Sequence, residues 1–269
     1  MGVRIKNRLL TKKEVPLYAV EPYVLTGYRE EGSYVYCLKS MFQWHNQTVN
    51  IWTSVFLVVY NLWLVGYFVN CLYISGYALF FFWMHGLIRA YCWANSWGYH
   101  TFVCHSQQIA NRWCTLDYIG CYLTPLGMGT NMIMSEFSGH PYIQCGIVGI
   151  GVITTSGAIW ISLLPEYQME QYRLMRLVLS GVSAAPWIGG LLISVVIIHD
   201  TVPGYYMYLV YALLVECIAA GFYVTMVPER IYPGYFDIIL PSHSIWHILN
   251  AVFDTLMMLF VYKSYVYNL

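Results

Sequence analysis

Long apolar stretches separated by short polar connections dominate the chain after residue 48. Each stretch has about 20 or more residues, which is enough for a helix to cross roughly 30 Å of hydrocarbon. The sequence lacks the alternating ten-residue pattern of a membrane β-barrel. The pattern therefore predicts an all-α integral membrane protein, a seven-transmembrane helix bundle with spans at about 49–70, 76–102, 115–135, 142–164, 173–197, 204–227 and 242–263.

This organisation divides the chain into three parts. Residues 1–48 form a polar N-terminal segment, residues 49–263 form the transmembrane domain, and residues 264–269 form a short tail. Only 10% of the residues are charged, against about 25% in soluble domains, so they cannot cover a water-facing surface. The net charge is zero, which gives no electrostatic case for nucleic-acid binding.

Lysine and arginine are distributed unevenly between the two sides of the predicted bundle. Seven precede the first span and four lie in the connections after spans 2, 4 and 6, whereas only Lys263 lies on the opposite side. Because positively charged residues are enriched in cytoplasmic segments, the N-terminus is predicted to be cytoplasmic. An odd number of spans then puts the C-terminus outside, which is the reverse of a G-protein-coupled receptor.

Five polar residues converge in the cytoplasmic half of the predicted bundle. Ser96 and His100 lie near the end of span 2, Asp117 lies at the start of span 3, and His243 and His247 lie at the start of span 7. The two histidines of the motif SHSIWH are four residues apart and share one helix face. Polar residues inside membrane helices are costly and indicate function, although they also join helices through ordinary hydrogen bonds.

The chemistry of these residues fits a catalytic zinc site. Three neutral imidazoles on two helices can supply three ligands to Zn²⁺ and leave a fourth position for water. The motif SHSIWH lacks the glutamate of HExxH, so Asp117 is the candidate base or orienting group for that water. Ser96, one turn before His100, is a candidate hydrogen-bond partner of the water or of a substrate carbonyl.

A second set of polar residues lies deeper in the predicted bundle. Arg89 in span 2 needs a partner, and Glu216 and Asp254 are both candidates. Asn250 and Asp254 continue the helix face that carries the two histidines of span 7. This stripe either lines a lipid cavity or makes ordinary interhelical hydrogen bonds.

The eight cysteines are scattered and contain no CxxC pair. Their spacing argues against a thiolate zinc site or a disulfide scaffold. Cys71 and Cys145 are both predicted near the outer face, so a disulfide between them is geometrically conceivable.

Several ordered motifs resemble those of the progestin and adiponectin receptor family, which is related to haemolysin III-type membrane proteins. The motifs are EPYVLTGYR, CLKSMFQWHNQTVNIWTS, SWGYHTFVCHS followed by LDYIG, and VPERIYPGYFDI followed by SHSIWH. The resemblance covers nearly the whole chain from about residue 21. It implies a seven-helix bundle with a cytoplasmic N-terminus.

The resemblance also implies roles for the five converging residues. His100, His243 and His247 correspond to the zinc ligands of the family, and Ser96 and Asp117 correspond to polar residues beside the metal. Adiponectin-receptor-like members are associated with hydrolysis of the ceramide amide bond. The implied cofactor is therefore Zn²⁺, the implied partners are membrane lipids such as ceramide or another sphingolipid, and Asp117 handles the proton of the attacking water.

The resemblance leaves a second function open. A non-catalytic steroid-responsive receptor, or a Golgi-resident scaffold that tethers a signalling kinase, would use zinc as a structural element. A steroid or protein hormone ligand, an oligomer, and a location in the plasma membrane or the Golgi are all compatible with the sequence. A transporter is disfavoured because repeat halves and paired broken helices are missing from the sequence. The chain departs from the family pattern at Gln47 and Ser54, where glutamate and usually histidine are expected.

Overall fold

The computed structural model describes residues 8–74, 76–168 and 172–268, and these residues fold mainly into helices. The prediction of an all-helical protein is confirmed for this part of the chain. Two short 3₁₀ helices lie at Leu17–Ala19 and Pro165–Gln168. The eight α-helices are α1 (Tyr34–Ser40), α2 (Thr48–Cys71), α3 (Gly76–Phe102), α4 (Gln107–Glu136), α5 (Pro141–Ser162), α6 (Arg173–Ile197), α7 (Tyr206–Thr225) and α8 (Ser242–Tyr267).

The seven long helices, α2 to α8, follow the predicted apolar segments. The largest difference is in α4, which begins at Gln107 rather than near residue 115. Its first turns are polar yet helical, so hydropathy alone locates the apolar part of this helix and misses its start. In the same way α8 continues past residue 263 to Tyr267, because Ser264 and Tyr265 are buried against the bundle.

Five helices among the described residues, α2, α5, α6, α7 and α8, are long and apolar enough to cross a membrane. Helices α3 and α4 have 27 and 30 residues, which is sufficient length, but they are less apolar. Their polar side chains are buried inside the bundle, among them His85, Arg89, Asn95, Thr124 and Asn131. Together these helices form an integral multi-pass membrane protein, and the polar groups of α3 and α4 face its interior.

Helices α3 and α4 pack closely against each other at the centre of the bundle. Helix α3 also contacts α2, and α4 also contacts α5, α6 and α8, while α7 packs on α8 and α8 returns to α2. Two glycines allow the close approach. A Cβ on Gly120 would lie 2.8 Å from the Cα of Cys92, and one on Gly98 would lie 2.1 Å from the ring of Trp113. These contacts show that the two helices run antiparallel.

A buried tryptophan fills the space between α4, α5 and α6. Trp187 on α6 is only 2% exposed and belongs to the largest apolar cluster of the bundle. A Cβ on either Gly129 of α4 or Gly151 of α5 would lie 2.1 Å from its ring. Glycine at these two positions is therefore what makes room for the indole.

The cysteines described by the structure are free thiols, and they include Cys145, which is exposed on α5. The side chain of Cys71 lies outside the described residues, and so does the conceivable bond between Cys71 and Cys145.

The N-terminal segment folds back over the end of the bundle at which α3 ends and α8 begins. An isolated β-bridge joins Leu10 to Tyr28. The backbone N–H groups of Leu25 and Thr26 donate to Oδ2 of Asp237, at 3.1 and 2.7 Å. Since Asp237 lies in the connection from α7 to α8, these bonds tie an early part of the chain to a late one.

Candidate metal centre

Three histidines meet at this end of the bundle. The ring centroids of His100 and His243 are 5.0 Å apart, those of His100 and His247 are 5.4 Å apart, and those of His243 and His247 are 4.7 Å apart. One nitrogen of each ring lies within 4.8 Å of the other two. His100 and His247 are buried and His243 is half-buried. The structure therefore brings the three predicted ligands into one group that could hold a metal ion.

Arg29 fixes the end of α3 that carries His100. Its guanidinium donates to the carbonyl oxygens of His100 at 2.6 Å and Thr101 at 2.9 Å, and to Oγ of Ser40 at 2.8 Å. A cation at a helix C-terminus pairs with carbonyls that have no partner within the helix, and it interacts favourably with the helix dipole. Arg29 thereby holds α1 and the last turn of α3 together beneath the histidine group.

Glu229 fixes the start of α8, which carries the other two histidines. Its carboxylate accepts a hydrogen bond from the backbone N–H of Ser242 at 2.7 Å and another from the Ser242 hydroxyl. A carboxylate at a helix N-terminus satisfies N–H groups that lack partners and complements the helix dipole. Two opposite charges, one at each helix end, thus position the rings.

A series of hydrogen-bonded side chains sets the tautomer of His100. Glu21 accepts a hydrogen bond from Nε2 of Gln47, which turns Oε1 of Gln47 toward Nδ1 of His100 at 2.7 Å. The amide of Asn50 donates to the same oxygen at 3.2 Å. Because an amide oxygen only accepts hydrogen bonds, Nδ1 of His100 carries the proton and Nε2 keeps its lone pair. Gln47 departs from the family pattern, yet it supplies the acceptor that the histidine needs.

His247 is oriented in the same way from α2. Its Nδ1 lies 2.8 Å from Oγ1 of Thr53, whose hydroxyl donates to the carbonyl of Val49 at 2.7 Å. The Thr53 oxygen is therefore the acceptor for the Nδ1 proton, which leaves Nε2 as the nitrogen available to a metal. Ser54 lies 3.5 Å from the same Nδ1 through its Oγ, and the Trp93 ring packs edge-on at 5.0 Å.

The ring nitrogen Nε2 of His100 is the atom that indicates a binding site. It is buried and has no hydrogen-bond partner within the described part of the chain. Buried polar atoms are almost always paired, because an unpaired one loses its hydration without compensation. Three imidazole side chains brought together in this way, with His100 presenting Nε2, are a donor set that suits Zn²⁺. The residues present thus fit the metal that the sequence predicts.

Asp117 is not part of the histidine group whose ligand atoms lie within 4.8 Å of one another. Ser96 is buried one turn before His100, and its Oγ lies 3.2 Å from Oγ of Ser54, on the Nδ1 side of His247. Asp117 is half-buried on α4 between the two glycine contacts with α3, which places it at the level of Ser96. The catalytic roles of Ser96 and Asp117 stay predictions.

Asp254 is the ion-pair partner of Arg89 in the described structure. Nη2 of Arg89 lies 2.6 Å from Oδ1 of Asp254 and donates to Oδ1 of Asn250 at 3.2 Å. Nη1 lies 3.4 Å from Oγ1 of Thr124. The polar stripe of α8 therefore bonds to α3, and the lining of a lipid cavity by Asn250 and Asp254 stays a prediction.

A second buried polar cluster, which the sequence pattern does not single out, lies at the opposite end of the bundle. Glu136 at the end of α4 accepts hydrogen bonds from Ser194, Tyr205 and Tyr206, each at 2.7 Å, and Nε2 of His199 lies 3.1 Å from it. The partners come from α6 and the region where α7 begins, and local patterns do not indicate which distant segments pair. The cluster joins three helices around one carboxylate.

Comparison with known proteins identifies the family of the chain. The family described as "Haemolysin-III related" matches residues 42–254. The mouse and human proteins named "Progestin and adipoQ receptor family member 3" are each 30% identical to this chain, over 97% of it and 86% of their own length. "Heptahelical transmembrane protein 1" of Arabidopsis thaliana is 27% identical, over 90% of this chain and 77% of its own.

The matched residues include all three histidines and Gln47, so the similarity extends to the part of the chain that builds the candidate centre. This chain belongs to the haemolysin-III related family of membrane proteins and groups with the progestin and adipoQ receptors.

Proposed function

We propose that the chain is a zinc-dependent hydrolase of lipid amides, with ceramide or a related sphingolipid as substrate. The observation that carries this proposal is the buried Nε2 of His100, which has no hydrogen-bond partner among the described residues, in a ring whose ligand nitrogen lies within 4.8 Å of those of His243 and His247. Three protein ligands with one position left open are typical of catalytic zinc rather than structural zinc. The adiponectin receptors that this chain resembles are associated with the same reaction.

In this proposal the metal and the residues around it have separate roles. Zinc, when bound, supplies Lewis-acid chemistry that polarises a carbonyl and lowers the pKa of water toward about 7. The three histidines would hold the ion, and Gln47 and Thr53 keep the Nδ1 protons of His100 and His247 in place, so that these two rings present Nε2. Asp117 takes the proton of the water nucleophile and passes it to the leaving amine, and it does so as general base and then general acid.

A second candidate is a non-catalytic receptor or scaffold with a structural metal. The observation that favours it is the position of Asp117 and Ser96, the two residues predicted to assist catalysis. Asp117 lies outside the histidine group, and Ser96 contacts Ser54 on the Nδ1 side of His247 rather than the side that faces a metal. The receptor names of the relatives agree with this candidate.

Turnover of labelled ceramide separates the two candidates. Purified full-length protein is incubated with the lipid, and the wild type is compared with Asp117→Asn and with Asp200→Asn, a matched change at an exposed carboxylate. Release of fatty acid that needs zinc and is lost only in Asp117→Asn supports the hydrolase. Stoichiometric zinc without turnover in any variant supports the receptor or scaffold.

Metal content tests the centre itself. We expect His100→Ala, His243→Ala and His247→Ala each to lose bound zinc, because two imidazoles are too few ligands for a stable site. His140→Ala, at an exposed histidine, is the control and keeps it. Equal zinc content in all four variants would exclude these residues as ligands.

We also propose that α3 and α4 cross the membrane, so that the chain has seven spans with a cytoplasmic N-terminus. Support comes from their lengths, from the burial of their polar side chains among the five apolar helices, and from the uneven distribution of lysine and arginine. In this arrangement the histidine centre lies at the cytoplasmic end of the bundle.

A further inference from the structure

Two cysteines far apart in sequence face each other beside the end of α3. Sγ of Cys37 on α1 lies 3.6 Å from Sγ of Cys104, which follows α3, and both side chains are buried. The sulfurs of a disulfide are separated by about 2.05 Å. The two sulfur atoms therefore need to approach by only about 1.5 Å to be joined.

The backbone around the two thiols is already fixed. The N–H of Gly32 donates to the carbonyl of Cys104 at 3.1 Å, which pins the segment before α1 to the segment after α3. Sγ of Cys37 lies 3.9 Å from the carbonyl oxygen of Gly32, and Sγ of Cys104 lies 3.9 Å from that of Thr101. A bond between the sulfurs would thus link two segments that are in contact without it.

The two thiols differ in acidity. The hydrogen bond from Cys37, together with the nearby Arg29 guanidinium, lowers the pKa of Cys104 to about 7. The hydrogen bond to Cys104 and burial raise the pKa of Cys37. Since the thiolate is the reactive form, Cys104 has the character of an attacking group and Cys37 that of a resolving group.

We propose that Cys37 and Cys104 form a redox-modification site, which closes to a disulfide when hydrogen peroxide is the oxidant. The Cys104 thiolate attacks one peroxide oxygen, the O–O bond breaks, and the released hydroxide takes up the proton that Cys104 had lost, giving water and a sulfenic acid. The sulfur of Cys37 then attacks the sulfenic sulfur. The S–O bond breaks, and the hydroxide leaves with the Cys37 proton as a second water. The two thiols are oxidised, and one peroxide is reduced to two waters.

The site is connected to the histidine end of α3 through Arg29. The Arg29 guanidinium donates hydrogen bonds to Ser40 on α1 and to the carbonyl oxygens of His100 and Thr101 on α3. A disulfide would therefore strengthen the same contact between α1 and α3 that positions His100, a candidate metal ligand. In the reducing cytoplasm the pair rests as two thiols. A disulfide there is a transient, reversible state.

Peptide mapping of oxidised wild-type protein tests the proposal. Full-length protein in detergent is reduced, freed of reductant, treated with hydrogen peroxide, blocked with N-ethylmaleimide, digested and analysed by mass spectrometry. We expect a linked pair of peptides that contain Cys37 and Cys104, lighter than the reduced pair by the two thiol hydrogens and separated again by dithiothreitol. This measurement needs no variant, no metal and no lipid, so its result does not depend on the proposed enzymatic function.

Two variants sharpen the assignment. In Cys37→Ser the resolving thiol is missing, so we expect dimedone to trap a sulfenic acid at Cys104. Cys145→Ser removes an exposed thiol and is expected to form the same linked peptides as the wild type. The proposal is overturned if wild-type Cys37 and Cys104 both stay alkylatable at peroxide concentrations that oxidise Cys145, or if Cys104 becomes a sulfenic acid in the wild type without a link to Cys37.

Discussion

Side chains on α2 and just before it determine which ring nitrogen of each buried histidine is available to a metal. Gln47 supplies the acceptor for His100, and Thr53 supplies the acceptor for His247. Neither contact can be read from the sequence, because each depends on how α2 packs against α3 and α8. The convergence of the three histidines could be predicted, since alternating helix direction places the end of one span and the start of another at the same depth.

Gln47→Ala is expected to weaken metal retention without removing a ligand. The loss of the acceptor frees His100 to rotate and to take the other tautomer, and supporting residues of this kind typically change metal affinity by about 10–100-fold. Gln47→Glu keeps an acceptor oxygen and is expected to retain zinc. Zinc content after competition with a graded series of chelators measures the difference. Equal retention in Gln47→Ala and wild type would contradict the orienting role.

Asp254→Asn is expected to destabilise the bundle strongly. Arg89 is 3% exposed, and removal of its carboxylate partner leaves a buried cation without its paired negative charge, at a cost of about 3–5 kcal/mol. The double change Arg89→Met with Asp254→Leu removes both charges and is expected to recover much of the loss. Thermal unfolding in detergent measures both, with the exposed Asp200→Asn as control. A melting temperature unchanged in Asp254→Asn would contradict the buried pair.

At the scale of helices, composition locates the apolar segments but does not show which faces meet. Helices α3 and α4 are the clearest case, because their polar side chains lower their hydropathy while lying inside the bundle. Glu136 and its hydroxyl partners show the same limit, since they come from segments about 60 to 70 residues apart in the chain. Helix ends also differ from the prediction where polar turns continue the helix, as at Gln107.

Gly120→Ala is expected to push α3 and α4 apart. The added Cβ would lie 2.8 Å from the Cα of Cys92, and a backbone atom cannot move aside as a flexible side chain can. Overpacking of this kind costs about 1–3 kcal/mol. The control is Gly149→Ala on α5, where a Cβ meets nothing within 4 Å. Detergent-solubilised protein should melt at a lower temperature only for Gly120→Ala; equal melting temperatures would refute the close contact.

At the scale of the whole molecule, the proposed orientation predicts where the chain is glycosylated. A glycosylation sequon appended after Leu269 is expected to be modified, because the C-terminus faces the lumen or the outside. The native sequon at Asn46 is buried at the opposite end and is expected to stay unmodified. Digestion with a glycosidase, followed by gel mobility, reads out both sites.

A second fusion makes this topology test decisive. The same sequon placed before Met1 is expected to remain unmodified, and it controls for accessibility of the appended tag. Modification of the N-terminal tag together with an unmodified C-terminal tag would reverse the proposed orientation. Modification of both tags would require an even number of spans.

The bonds between Asp237 and the segment at Leu25 and Thr26 have a consequence for how the protein is made. Residues near the N-terminus leave the ribosome first, and the connection that leads into α8 with its two histidines leaves it almost last, yet the two are bonded to each other in the folded protein. During synthesis the early segment must therefore wait, without its partner, until nearly the whole chain has been translated. A nascent chain stopped before residue 242 can insert its earlier helices but cannot assemble the centre, so metal uptake would mark the completion of assembly.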